Sequence, residues 1–295
     1  MDIDVLGALD VRENGKSVAP TAPKPRQVLA LLALHAGRVV PVASLVDELW
    51  SDRPPRSART TLQTYVLQLR ELIAAALAEG PGVGGGGEPA GGDGPVPRTA
   101  KDVLMTLPGG YLLSADGGSS DVRTFERLAG TGYRAMDAGD FAGASRLLGA
   151  ALDLWSGTAF ADVQKGPQLT MESKRLEESR LCALDQRIEA DLRLGRHREL
   201  LAELTVLTSR YRTHENLHAQ FMLALHRSGR RGEALGVYQQ LRTTLVRDLG
   251  LEPSPRLHRL QHSILVAAAD CAPAPQPVPA EPAQSPRSRR LAQAS

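Results

Sequence analysis

The segment at residues 57–70 carries amide, hydroxyl and guanidinium side chains at spacings that a helix would bring to one face. At 100° per residue, the apolar residues fall together on the other face, and these are Leu62, Tyr65, Val66, Leu69 and Ile73. The outward face would then carry Thr60, Gln63, Thr64, Leu67 and Gln68, with Arg59 and Arg70 on its flanks. Amides and guanidiniums can make paired hydrogen bonds to base edges, and arginine or threonine can hold phosphates. This face suits a DNA major groove, although an ordinary amphipathic helix with a solvated side has the same pattern.

The charge distribution favours the DNA-binding interpretation of this helix. The chain has 35 Lys and Arg, 33 Asp and Glu and a net charge of +2, so its overall charge does not indicate a nucleic-acid partner. From Lys24 to Arg70, however, seven basic residues stand against three acidic ones. The stretch from Arg53 to Arg70 has four arginines and no acidic residue. A local basic patch is the electrostatic feature expected of a DNA-binding surface.

The elements around this segment predict a winged helix-turn-helix. Short strands within residues 3–18 precede helices at 26–36 and 42–50, and a rigid loop at 51–55 leads into the polar helix. Helix, helix, loop and polar helix is helix-turn-helix order with a long turn. Residues 103–113 predict a β-hairpin that would form the wing, with Gly109 and Gly110 at its tip against the DNA.

The second half of the chain has a helical pattern. Asp121 is a predicted N-cap for a helix at 122–138. Turns follow at Gly139, Gly195 and Gly229, and the last two are 34 residues apart, which is the tetratricopeptide period. The spacing from Gly139 to Gly195, 56 residues, is too long for one such repeat. We therefore predict an inserted loop at 155–166 before a long helix at 168–194. A final helix is predicted at 254–269.

We therefore predict a mixed fold. An N-terminal α+β winged helix-turn-helix domain (residues 1–115) is followed by an all-α tetratricopeptide-like helical repeat domain (residues 121–270). A Gly-rich insertion at 79–98 and a Pro/Ala-rich tail at 271–295 are predicted to be disordered. The insertion holds a formal G-x-G-x-x-G, but we reject a nucleotide site because no strand precedes it and no helix follows.

No enzyme motif, metal-ligand cluster or cofactor site stands out in the sequence, and we predict none. The acidic pairs Asp47-Glu48 and Glu177-Glu178 are interpreted as ordinary helix charges. Two cysteines, an acidic start and the lack of a long apolar run predict a cytoplasmic, nucleoid-associated protein with no membrane partner.

Specific motifs in both halves resemble known modules. Residues 3–113 resemble the OmpR-type winged helix, through Val5-Leu-Gly7, Gly37-Arg-Val-Val40, Leu45-Val-Asp-Glu-Leu-Trp50, Ala58-Arg-Thr-Thr-Leu-Gln-Thr-Tyr-Val66 and Gly109-Gly-Tyr111. Residues 121–270 resemble the bacterial transcriptional activator domain, through Ala138-Gly-Asp140, Leu154-Trp155-Ser-Gly157, Ser228-Gly229, Glu233-Ala-Leu235 and Leu249-Gly-Leu251. The combination is similar to the small form of the Streptomyces antibiotic regulatory protein (SARP) family.

The resemblance implies a transcriptional activator of an antibiotic biosynthetic gene cluster. Such a protein binds direct repeats in double-stranded DNA and recruits RNA polymerase through its sigma factor. Because a direct-repeat target requires two copies in the same orientation, we expect a side-by-side dimer on the site. The polymerase-contacting residues would be Ser51, Asp52, Arg53, Pro54 and Pro55. The DNA-binding residues would be Arg56, Arg59, Thr60, Gln63, Thr64, Gln68, Arg70, Gly109 and Gly110.

Two alternatives stay open at this point. The protein could be a helical-repeat adaptor or ligand-sensing regulator, or a repressor of the same architecture. At the end of the polar helix, Leu67-Gln-Leu-Arg-Glu71 also stands where relatives usually have Ser-Arg-Leu-Arg-Arg. Two cations are thus lost and one acid is gained, which predicts weaker or partner-assisted DNA binding.

Overall fold

A computed structural model of the chain describes residues 1–79, 98–114 and 117–266. The predicted disordered insertion, apart from its end residues Glu79 and Arg98, and the predicted tail lie outside the described residues. The chain divides into two compact units, Met1–Val206 and a second that begins at Leu207. The first unit contains the whole winged part together with the first helices of the helical part.

The first unit opens with a three-stranded antiparallel sheet. Strands β1 (Asp2–Asp4), β2 (Asp10–Glu13) and β3 (Lys16–Ser17) are ordered β1-β2-β3, with Ile3 opposite Val11. Both of these side chains are buried, because alternate residues of the strands face the core.

Three helices and a second sheet complete the winged part. Helices α1 (Pro23–Leu34), α2 (Val42–Trp50) and α3 (Ala58–Ala78) lie where helices were predicted. The wing consists of β5 (Leu104–Leu107) and β6 (Gly110–Leu113). Two short elements were not predicted: the strand β4 (Val39–Pro41), which pairs with β6, and the one-turn helix α4 (Ala100–Val103).

The core of the winged part matches the apolar pattern of the sequence. Central helix α1 buries residues 28–33 on all sides. Leu62, Val66, Leu69 and Ile73 of α3 are each at most 2% exposed, as the periodicity predicted, whereas Tyr65 is half-buried at the edge of this seam. The buried seam fixes how α3 is rotated, and it leaves the polar face outward.

The helical part has seven helices among the described residues. Helices α5 (Asp121–Asp137), α6 (Phe141–Leu152) and α7 (Pro167–Arg193) belong to the first unit, and the unit boundary falls within α8 (Leu201–Arg210). Helices α9 (Glu215–Arg227), α10 (Arg231–Leu249) and α11 (Pro255–Val266) belong to the second unit. Residues 153–166 contain no helix, as predicted.

Asp121 does not cap α5, contrary to the sequence prediction. The cap is Ser120, whose hydroxyl oxygen accepts a hydrogen bond from the backbone N–H of Arg123. The Asp121 carboxylate reaches back to the first sheet and accepts hydrogen bonds from the backbone N–H groups of Val5 (2.6 Å) and Leu6 (2.7 Å). Burial raises the pKa of this carboxyl, while the amides that donate to it act in the opposite direction.

The loop before α7 forms backbone hydrogen bonds with the segment that follows β1. The backbone N–H groups of Ser156, Phe160 and Ala161 donate to the carbonyl oxygens of Leu6, Val5 and Gly7, respectively, at 2.8–3.0 Å. Within the first unit, the winged part and the start of the helical part are therefore joined through backbone hydrogen bonds as well as side chains.

Glu48 is not the ordinary helix charge that the sequence predicted. Its side chain is buried, and its carboxylate accepts hydrogen bonds from the backbone N–H groups of Gly166, Gln168 and Leu169 at the start of α7. Gln27 of α1 donates its side-chain amide to the same residue. The first turn of α7 is thus capped by a residue of α2.

Candidate nucleic-acid interface

Helix α3 presents the predicted polar residues on one exposed face. Arg59, Thr60, Gln63, Thr64 and Gln68 are all exposed, and residues 59–68 span about 14 Å along the helix axis. A helix of this diameter and exposed length fits a DNA major groove. The structure therefore brings five of the predicted residues together on one surface, which we call the α3 face.

Gln63 and Thr64 lie near the middle of the α3 face. The Gln63 amide can donate and accept at once, which is the pattern needed for paired bonds to adenine. The Thr64 hydroxyl donates to the carbonyl oxygen of Thr60 at 3.1 Å, so its proton is already used and its oxygen can still accept. Thr64 is thus suited to accept a hydrogen bond from a base amino group, that of adenine or cytosine.

Exposed positive charge is concentrated at the start of α3. Arg53, Arg56 and Arg59 are exposed and form no ion pair within the described part of the chain. Arg53 and Arg56 precede the first residue of α3 and Arg59 is the second, and the N-terminus of a helix also favours anions. This end of α3 is suited to phosphate contacts.

Two cations that the sequence placed in the basic patch have other roles. The Lys24 ammonium donates to the carbonyl oxygen of Leu49 at 2.7 Å. The Arg26 guanidinium pairs with Asp162 and donates to the carbonyl oxygen of Leu9. The basic surface is therefore smaller than the residue count suggested, and its exposed cations are Arg38 and the arginines at the start of α3.

Arg70 holds the wing against α3. Its Nε and Nη2 atoms donate to the carbonyl oxygen of Leu104 at 3.0 and 2.8 Å, and Nη2 also donates to the Thr106 hydroxyl at 2.7 Å. The sequence predicted Arg70 only as a DNA contact and did not identify Thr106, which is exposed on the wing strand beside it. Thr106 is the one polar residue of β5, which is the only signal that the strand's sequence offered for it.

The two wing glycines occupy different environments. Gly109 is exposed at the tip, has a φ of +82° that favours glycine, and accepts a hydrogen bond from the backbone N–H of Val42. Gly110 is buried, and a Cβ atom there would lie 2.4 Å from the carbonyl oxygen of Val40. Gly110 permits the close approach of β4 and β6, so we retain only Gly109 as a candidate DNA contact.

The loop between α2 and α3 is exposed over all five predicted polymerase-contacting residues, Ser51, Asp52, Arg53, Pro54 and Pro55. Ser51 ends α2 with a φ of +50°, a conformation that side chains rarely adopt, and the chain turns sharply away from the helix there. Pro54 and Pro55 line an open cavity of about 460 Å³ together with Val46 and Arg59. The loop thus lies next to the arginine-rich end of α3.

Comparison with known proteins connects this geometry to a family. Residues 120–265 match the family model of the bacterial transcriptional activator domain, and residues 16–81 match the model described as transcriptional regulatory protein, C terminal. The chain is 55% identical over 267 residues to the regulatory protein DnrI of Streptomyces peucetius, a match that covers 90% of this chain and 93% of DnrI. The chain belongs to the SARP family.

Further matches extend the SARP comparison. The regulatory protein AfsR of Streptomyces griseus is 34% identical over 96% of this chain, which spans only 27% of AfsR. A solved structure of Mycobacterium tuberculosis EmbR in complex with a low affinity phosphopeptide has a TM-score of 0.77 and 33% identity, and covers 90% of this chain and 65% of that chain.

These comparisons confirm the predicted family and the predicted fold, a winged α+β domain followed by a helical domain. SARP-family proteins are transcriptional regulators and not enzymes. Among the described residues, no helix is long and apolar enough to cross a bilayer. The same residues include no group of three or more potential metal-ligating His, Cys, Asp or Glu side chains.

Proposed function

We propose that this SARP-family regulator is a sequence-specific DNA-binding activator of a secondary-metabolite gene cluster. The observation that carries the proposal is the α3 face, where exposed hydrogen-bonding side chains follow three exposed arginines. The buried seam on the other side of α3 leaves this face available to a groove. In this proposal α3 lies in the major groove and Gly109 at the wing tip lies against the DNA backbone.

Each part of the surface has a distinct task in this proposal. Arg56 and Arg59 bind phosphates, which provides affinity without sequence preference. Gln63, Thr64 and Gln68 read base edges, while Thr60 and Arg70 support the ends of the contact. Arg70 acts at least in part by holding the wing strand at a fixed distance from α3.

Activation, as opposed to repression, is proposed from membership in the SARP family and from the exposed loop at 51–55. DNA binding is common to activators and repressors, so the α3 face does not distinguish them. Bound to direct repeats, two copies would lie head to tail, and the loop of one copy would be free to meet RNA polymerase and its sigma factor. We propose no cofactor for this function.

DNA binding is tested by measuring the affinity of the purified protein for promoter DNA at several salt concentrations. We expect log affinity to fall linearly with log salt, and Arg59→Ala to reduce the slope by about one per lost phosphate contact. Arg127→Ala, an exposed arginine on α5, is the matched control and should leave the slope unchanged. Equal binding to promoter and unrelated DNA would favour the alternative of an adaptor or ligand-sensing regulator.

Activation is tested by transcription from the bound promoter with purified RNA polymerase holoenzyme. We expect the protein to increase transcript yield, and we expect a double Asp52→Ala, Pro54→Ala variant, which keeps all three arginines, to lose most of this increase while it still binds the DNA. A decrease in transcript on addition of the unaltered protein would show that it is a repressor.

A further inference from the structure

Leu67 is an exposed apolar side chain in the centre of the α3 face. It is 57% exposed, although its helix neighbours one turn earlier, Gln63 and Thr64, are polar. At 100° per residue Leu67 lies within about 60° of Thr60, Gln63 and Thr64 around the helix axis. When this face enters a groove, Leu67 is therefore among the first side chains to be enclosed.

The position of Leu67 restricts what can lie opposite it. A leucine pressed against a polar base edge would leave that edge without a hydrogen-bond partner, which is costly once water is excluded. The major groove offers one apolar group, the C5 methyl of thymine, which apolar side chains contact. Contact between the leucine and this methyl buries two apolar groups and leaves no polar group unpaired.

We infer that Leu67 is a specificity-determining residue that selects a thymine through its C5 methyl group. The inference rests on the proposed DNA-binding function and names one base that the α3 face reads. Gln63 and Leu67 are four residues apart, which is about 6 Å along the helix axis. The selected thymine therefore lies within about two base pairs of the pair that Gln63 contacts, since successive base pairs are about 3.4 Å apart.

The helix itself supplies a matched control. Leu72 is also exposed, at 37%, but it lies about 140° around the axis from Leu67 and about 180° from Gln63, at the edge of the α3 face beside Gln68. Shortening Leu72 also removes exposed apolar surface from the same helix, from a side chain that is 37% exposed against 57% for Leu67. Only Leu67 should affect how the protein responds to a thymine methyl.

The test replaces each thymine of a footprinted half-site, one at a time, by uracil, which differs from thymine only by the missing methyl. We expect one position at which uracil weakens binding of the unaltered protein about four-fold, the effect of one buried methyl group. Leu67→Ala should bind thymine and uracil equally at that position. Leu72→Ala should retain the full four-fold preference for thymine.

The outcomes separate this inference from the proposed function. Sequence-specific binding with no uracil-sensitive position would overturn the role of Leu67 alone. A uracil effect that persists unchanged in Leu67→Ala would do the same, because the methyl would then contact another side chain. A protein that binds no promoter DNA would overturn the proposed function and the role of Leu67 together.

Discussion

The carboxylate of Glu48 in α2 accepts a hydrogen bond of 2.5 Å from the backbone N–H of Gly166, at the start of α7 and 118 residues away in the chain. Gly166 is needed for this approach, since a Cβ atom there would lie 2.0 Å from the carbonyl oxygen of Glu48. The loop at 51–55 follows α2 directly. Glu48 therefore ties the helix that precedes the proposed polymerase-contacting loop to the long helix of the helical part.

Replacing Glu48 should destabilise the first unit strongly. Glu48→Ala would leave the backbone N–H groups of Gly166, Gln168 and Leu169 without their acceptor in a buried site. We expect a loss of about 2–4 kcal/mol in the free energy of unfolding, and about half of that for Glu48→Gln, which keeps one acceptor oxygen but no charge. Chemical denaturation followed by circular dichroism measures both.

The adjacent acidic residue Asp47 is the matched control for Glu48. Asp47 is exposed, and Asp47→Ala should change stability by no more than about 0.5 kcal/mol. Similar losses for the Asp47 and Glu48 variants would show that the buried hydrogen bonds to α7 do not stabilise the fold.

Gln63→Ala and Thr64→Ala should weaken specific DNA binding more than non-specific binding. Both side chains are on the exposed α3 face, away from the seam of Leu62, Val66 and Leu69. A good base contact provides about 1–3 kcal/mol of discrimination between bases. Competition between cognate and scrambled duplexes measures this difference, and equal losses on the two duplexes would contradict a base-reading role.

Arg70→Ala should weaken binding to cognate and scrambled DNA alike, because the wing strand loses its contacts to α3. The free energy of unfolding should fall by about 1–2 kcal/mol, since the Leu104 carbonyl loses both donors. The salt slope should change less than for Arg59→Ala, whose guanidinium has no ion pair within the described residues. A slope change as large as that of Arg59→Ala would instead show that Arg70 neutralises a phosphate directly.

The spacing of the DNA repeats should control cooperative binding. Two head-to-tail copies place both α3 helices on one side of the duplex when the half-sites are about one turn apart, roughly 10–11 bp. Inserting about 5 bp should abolish cooperativity, because the second copy is rotated to the far side, and inserting a full turn should restore part of it. Band-shift titrations on the three spacings measure this, and a tolerated half-turn insertion would exclude the side-by-side arrangement.

The second unit should lose stability in mild acid through His218 of α9. Burial lowers the pKa of this imidazole below its ordinary value of 6.5, while a hydrogen bond to the carbonyl oxygen of His214 acts in the opposite direction. As the pH falls through 6.5, the unfolded chain binds a proton that the folded chain binds only at lower pH. Stability is therefore fully present above pH 6.5 and is lost progressively below it.

Thermal unfolding from about pH 7.5 to about pH 5 tests this linkage. His218→Gln should flatten the decrease in melting temperature of the second unit, because the buried proton-binding group is gone. The exposed His262 is the control, and His262→Gln should keep the decrease of the unaltered protein. An identical acid sensitivity in all three proteins would exclude His218 as its source.

The α3 face was determined by the sequence alone. Leu62, Val66, Leu69 and Ile73 repeat at helical spacing, and burying them requires the polar residues between them to face outward. The apolar periodicity of α3 is a local pattern, and it can be read without knowing which elements pack against the buried side of the helix. The long helix α7 and the family motifs were readable for the same reason, since each depends on residues close together in the chain.

Only the tertiary structure decided the roles of Glu48, Asp121 and Arg70. The sequence predicted an ordinary helix charge at Glu48, an N-cap at Asp121 and a DNA contact at Arg70. In the structure Glu48 caps α7, Asp121 binds the backbone at Val5 and Leu6, and Arg70 holds the wing. Their partners are 34 to 121 residues away, and backbone N–H and C=O groups are the same in every residue. A hydrogen bond to a distant main-chain atom leaves no pattern in the sequence, so these roles became visible only once the elements were packed together.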